Sequence, residues 1–112
     1  MCGIYGLILA DGRSVRPEML KSFGDKMVHR GPDDSGYYID ETFGIGMRRL
    51  SIIDLSGGHQ PISDSTGDIQ LVLNGEIYNY QELRKDLIDQ GYIFKTNTDV
   101  EVLIHLYKRY GR

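Results

Sequence analysis

Residues 3–9 read GIYGLIL, a largely apolar run ending at the turn dipeptide Asp11-Gly12, which predicts a strand closed by a turn. Pro17 suits a first helical position, and Leu20, Phe23 and Met27 recur at helical spacing. Together they predict an amphipathic helix over about 17–28, with Gly24 tolerated inside it. The string HRGPDDSG at 29–36 is a loop by composition, and 37–40 with 43–48 read as a hairpin. A third apolar run at 50–55 leads into the loop SGGHQP. Residues 69–73 are strongly apolar and bounded by Gly67-Asp68 and Asn74-Gly75, which predicts another strand. Tyr80, Leu83 and Leu87 mark a second helix that stops at Gly91. In the last helix Val100, Leu103, Ile104 and Tyr107 share one apolar face, and Thr98 with Glu101 has the spacing of a capping box.

Strands grouped early with helices flanking them predict an α+β layered domain with mainly antiparallel sheet. At 112 residues the chain is one domain at most, without repeats, low-complexity stretches or linkers. It stops just after a helix, at Tyr110-Gly111-Arg112, which reads as a cut. The net charge of -3 and the lack of a basic stripe argue against a nucleic-acid partner. No segment reads as a signal peptide or reaches the length of a membrane span. The single cysteine excludes an intrachain disulfide framework and makes a reducing cytoplasm the expected setting. His29, His59 and His105 are scattered without ligand spacing, so no metal site is expected. The 14 glycines, many in polar loops, point to close backbone approach to something small.

The sharpest chemical signal is Cys2, directly behind Met1. Removing Met1 would leave a thiol and a free α-amine on one residue, a nucleophile with its own base. The amine titrates at about 7.7–8.0 and the thiol at about 8.5, both close to working pH. Asn74-Gly75 has two readings: a two-residue hairpin turn, or a side-chain amide and a backbone N–H that bind a developing oxyanion. Arg48-Arg49 at a strand end is either a solvated edge or, in Arg49, a two-pronged clamp for a carboxylate. Asp99 either favours a helix N-terminus or pairs with a substrate ammonium. Ser56-Gly57-Gly58 resembles a pyrophosphate loop but is followed by His59-Gln60-Pro61, so it reads as a turn. Asp33-Asp34, after Gly31-Pro32, also reads as turn chemistry. Each residue alone has a simple structural explanation; together they suit an α-amino acid with a side-chain carbonyl.

The ordered strings MCGIYG, HRGPDDSG, RLSIIDL, GGHQP, LVLNGEIYNYQELR and TNTDVEVL resemble the glutaminase domain of class II glutamine amidotransferases, which are N-terminal nucleophile (Ntn) hydrolases. The spelling of RLSIIDL, GGHQP and NGEIYN is most similar to the glutamine-hydrolysing asparagine synthetase branch. The resemblance covers residues 1–112 and implies the N-terminal portion of a four-layer α/β/β/α sandwich. The rest of that domain and the ATP- and magnesium-using synthetase domain are absent from these residues, and no cofactor is expected in this part. It implies that Cys2 attacks the glutamine side-chain amide, that Asn74 and Gly75 form the oxyanion hole, and that Arg49 holds the carboxylate. Asp99, helped by Glu76, would hold the amino group, with His29 and Arg30 in supporting roles beside the nucleophile. The ammonia would serve asparagine synthesis; the alternatives are a different acceptor, or an inactive fragment that binds without turnover. A partial sandwich would expose unpaired sheet edges and a bare apolar face, so either poor stability alone or self-association is expected.

Overall fold

The computed structural model describes residues 2–50 and 58–112. A three-stranded antiparallel sheet is built from β1 (Gly3–Ile8), β2 (Asp34–Asp40) and β3 (Phe43–Arg49), in the order β1-β3-β2. Residues 37–40 and 43–48 form the expected hairpin, with Glu41 at φ 48° in its turn. The strand begins earlier than composition indicates: Asp34, Ser35 and Gly36 pair with Arg49, Arg48 and Met47. Asp34 is therefore a strand residue rather than part of a turn. The backbone partner offered by β3 outweighs the turn propensity of the string.

Directly paired residues share a sheet face, so Gly3/Arg48, Tyr5/Gly46 and Leu7/Gly44 lie together on one side. The helix α1 (Pro17–Lys26) covers that side, with fully buried Leu20 against Gly44. The Tyr5 ring runs between Gly46 and Gly24, where a Cβ at either position would collide with it. That contact explains why a glycine is tolerated inside the helix. Burial pushes the Tyr5 phenol up, opposed by the charge of Arg48.

The opposite face carries Met47, which is 2% exposed, and Tyr38 with its ring tilted against that of Phe43. Toward this face lie a short hairpin, β4 (Ile62–Ser63) with β5 (Gln70–Leu71), and α3 (Glu101–Tyr110), which packs on α2 (Tyr80–Asp89). Asp64 accepts from Thr66 and from Ile69 N–H, and Lys108 of α3 pairs with it at 2.9 Å. The Lys108 ammonium, followed by the Thr66 hydroxyl, holds the Asp64 carboxyl well below the usual carboxylate range. No helix among the described residues is long and apolar enough to cross a membrane.

This is the α+β arrangement expected, with antiparallel sheets. Four further local expectations change. The strand at 69–73 shortens to Gln70–Leu71, because its partner Ile62–Ser63 is only two residues long. Asn74-Gly75 joins no hairpin: β5 pairs backward with β4, and the chain runs on into α2. The first helix ends at Lys26, two residues short of the expected end. The capping box also fails to form. Helix α3 begins at Glu101 without a side-chain cap, and the Glu101 carboxylate reaches back to Lys95 N–H and Thr96 N–H instead. Apart from Leu50, the apolar run at 50–55 lies outside the described residues, as do Ser56 and Gly57 of the glycine-rich turn.

Candidate active site

Cys2 stands immediately before β1, which sets it opposite the exit of β3. Gly3 is in register with Arg48, and Leu50 N–H donates to Cys2 Sγ at 3.4 Å. The thiol in turn faces the Leu50 carbonyl at 3.8 Å. Arg49 lies between those two contacts, so the antiparallel register alone carries it to the nucleophile. Its carbonyl accepts from Asp33 N–H at 3.1 Å. The peptide joining Arg48 to Arg49 passes so close to Gly31 that a Cβ there would overlap its atoms. Arg48 Nε donates to the Gly31 carbonyl at 2.9 Å, which fastens the loop to the strand end.

Two side chains converge on the Cys2 carbonyl. Asn74 Nδ2 donates at 3.0 Å across 72 residues of sequence, and Arg30 Nε donates at 3.4 Å. A carboxamide nitrogen carries two protons, so one can hold the Cys2 backbone while the other is directed at a neighbouring oxygen. Asp99 reaches the same segment from the far side, its Oδ2 accepting from Ile77 N–H at 2.8 Å. Asn74, Gly75, Glu76 and Ile77 thus form a bridge with Cys2 at one end and Asp99 at the other. Asn74, Gly75 and Glu76 are exposed, whereas Cys2, Arg49 and Asp99 are half-buried.

The structure therefore joins Arg30 and Asn74 to the Cys2 carbonyl, sets the Arg49 backbone at the exit of β3 next to Leu50, and ties Asp99 to the same segment through Ile77, with Gly75 and Glu76 on the bridge. His29 sits on the exposed turn after α1. From sequence, Gly58 reads only as part of the Ser56-Gly57-Gly58 turn. It lies directly against the Arg49 guanidinium, where any Cβ would overlap the guanidinium atoms. Gly58 belongs to the GGHQP string, so the signal was present, but its partner 9 positions earlier was not visible. The Asp34 carboxylate meets His59 Nδ1 at 3.0 Å and joins β2 to that same loop. A cavity of ≈ 730 Å³ opens elsewhere, lined by apolar residues such as Phe43, Leu103 and Tyr107 and by none of the Cys2 group. Convergent polar chemistry, rather than volume, marks the site.

Residues 1–112 match the family described as the glutamine amidotransferase domain. The chain belongs to that family. The relatives of this glutamine amidotransferase domain include a glutamine-hydrolysing asparagine synthetase 1 from Bacillus subtilis, 46% identical over 114 residues and covering 98% of this chain. Asparagine synthetase B (glutamine-hydrolysing) from Escherichia coli is 40% identical over 113 residues, covering 99% of the chain. A protein named amidase chry2 from Gibberella zeae is 41% identical over 124 residues, again covering 99%. The chain spans 18–20% of the length of these three relatives.

Proposed function

We propose that this domain hydrolyses the side-chain amide of glutamine to glutamate and ammonia, with Cys2 as the N-terminal nucleophile. The observation that carries the reading is the meeting of the Asn74 amide with Cys2 at 3.0 Å, in a chain of the glutamine amidotransferase family. Once Met1 is removed, the Cys2 α-amine takes the thiol proton and the thiolate attacks the amide carbon. The amide oxygen becomes an oxyanion, received by the second Asn74 proton and the Gly75 N–H. The ammonium of Cys2 then protonates the leaving nitrogen, ammonia departs, and a γ-glutamyl thioester remains. Water, deprotonated by the same amine, attacks the thioester; glutamate leaves and the thiol is restored.

In this reading Arg49 takes the substrate carboxylate through two parallel hydrogen bonds, while Gly58 leaves room for the guanidinium to lie flat. Asp99 and Glu76 receive the ammonium, and Arg30 holds the Cys2 carbonyl. The step needs no metal or cofactor; ATP and magnesium would belong to a separate synthetase domain. The relatives named asparagine synthetases favour asparagine synthesis as the fate of the ammonia. A second reading, hydrolysis for another acceptor, is favoured by the relative named an amidase.

The direct test is intact mass before and after treatment with a diazo-ketone norleucine, a glutamine-analogue electrophile. Loss of Met1 together with one adduct on Cys2 is the expected result; a processed chain that stays unlabelled would oppose the reading. Arg49→Lys is expected to raise the glutamine KM about tenfold or more, since a point charge replaces a fork. An unchanged KM would rule out the carboxylate clamp.

A further inference from the structure

We propose that Glu101 is a positioning residue for the substrate ammonium: it folds residues 95–98 around its carboxylate and so aims Asp99 at the bridge beside the nucleophile. This rests on the reading of Asp99 given above. Glu101 is only 5% exposed, an expensive place for a carboxylate without dedicated donors. Those donors are present. Oε1 accepts from Lys95 N–H at 2.8 Å; Oε2 accepts from Thr96 N–H at 2.7 Å and from the Thr96 hydroxyl at 2.5 Å.

The network continues toward the site. The Thr96 hydroxyl gives its one proton to Glu101, so its oxygen is left to accept from the Thr98 hydroxyl at 2.9 Å and from Thr98 N–H at 3.3 Å. Arg84 of α2 clasps the other side, donating to the Thr96 carbonyl at 2.6 Å while its guanidinium lies over Phe94. Asp99 follows directly and contacts Ile77 N–H at 2.8 Å. On the helix side, Glu101 Oε1 lies 3.6 Å from His105, whose ring packs between Tyr92 and Phe94. Burial draws the Glu101 carboxyl upward, but the Lys95 and Thr96 donors and His105 outweigh it and keep the group below its ordinary range.

A turn that only had to enter a helix would need a neutral cap of ordinary kind, such as Ser or Asn at the N-cap. Here an ionised side chain from inside the helix binds two consecutive upstream amides and a hydroxyl. That arrangement determines the path of 95–98 and hence the direction of the next residue, Asp99.

The test compares two labels of Cys2 on the whole protein: the diazo-ketone norleucine, and its desamino analogue, which carries the same electrophile without the ammonium. Thr96→Val keeps the side-chain shape and removes the relay hydroxyl. It is expected to slow labelling by the amino reagent about threefold to tenfold, with the desamino rate unchanged. Glu101→Ala is expected to act in the same direction and more strongly, and Asp99→Asn sets the ceiling. Equal slowing of both reagents by Thr96→Val would overturn the proposal, since it would mean general disturbance of the Cys2 neighbourhood. If Asp99→Asn discriminates the reagents and Thr96→Val does not, the relay falls and the Asp99 reading stands. If Asp99→Asn does not discriminate, both fall.

Discussion

Cys2→Ala is expected to lower glutamine hydrolysis by about 10⁴-fold or more while leaving glutamine binding close to that of the parent protein. The substitution removes the only atom that forms a covalent bond to substrate. It leaves the small N-terminal residue, its α-amine and its carbonyl in place. Asn74 and Arg30 bond that carbonyl rather than the thiol, so their anchoring should survive. What is lost locally is the Leu50 N–H contact to sulfur at 3.4 Å, a weak interaction beside the chemistry. Steady-state ammonia release and equilibrium glutamine binding, measured on the same preparation, separate the two effects. Retained turnover would mean that another nucleophile or a directly activated water does the work. A protein that keeps Met1 should behave like the substitution, because an amide nitrogen cannot serve as the base.

Asn74→Ala is expected to reduce kcat by about 10²–10³-fold with a much smaller change in KM, the signature of a donor used chiefly in the transition state. Loss of one oxyanion donor typically costs about 3–4 kcal/mol of barrier. The structure adds a second consequence, since the same amide holds the Cys2 backbone. Asn74→Asp should be no better than Ala: an ionised carboxylate donates nothing and repels the developing negative charge. A rise in KM with kcat unchanged would assign Asn74 to ground-state positioning and leave the oxyanion to Gly75 alone. Single-turnover measurement of thioester formation is the clearest readout, because it isolates the step in which the charge develops.

Much of this domain can be read without coordinates. The apolar run of β1, the 37–48 hairpin and the three amphipathic helices are written in residues a few positions apart, where periodicity and turn chemistry act directly. The thiol of Cys2, the guanidinium of Arg49, the amide of Asn74 and the carboxylate of Asp99 are also written in the sequence, and the resemblance to the family is what groups them as candidates for one site. Local reasoning failed where a distant partner decided the outcome. The Thr98–Glu101 spacing predicts a capping box, yet the Glu101 carboxylate turned to the Lys95 and Thr96 amides. Asn74-Gly75 has the composition of a hairpin turn, but β5 found its partner upstream in Ile62–Ser63. Asp34 left its turn because Arg49 offered a ladder position.

By itself, then, the sequence determined β1, the 37–48 hairpin, the three helices and the functional groups available, since these depend on covalent structure and near neighbours, whereas β4 at Ile62–Ser63 was not foreseen. Only the tertiary structure decided that Asn74 meets Cys2 across 72 residues, that Gly58 lies against the Arg49 guanidinium and that Asp99 caps Ile77. Those contacts depend on sheet register and on the close approach of loops, which packing imposes on the whole chain at once and which no short window of residues encodes.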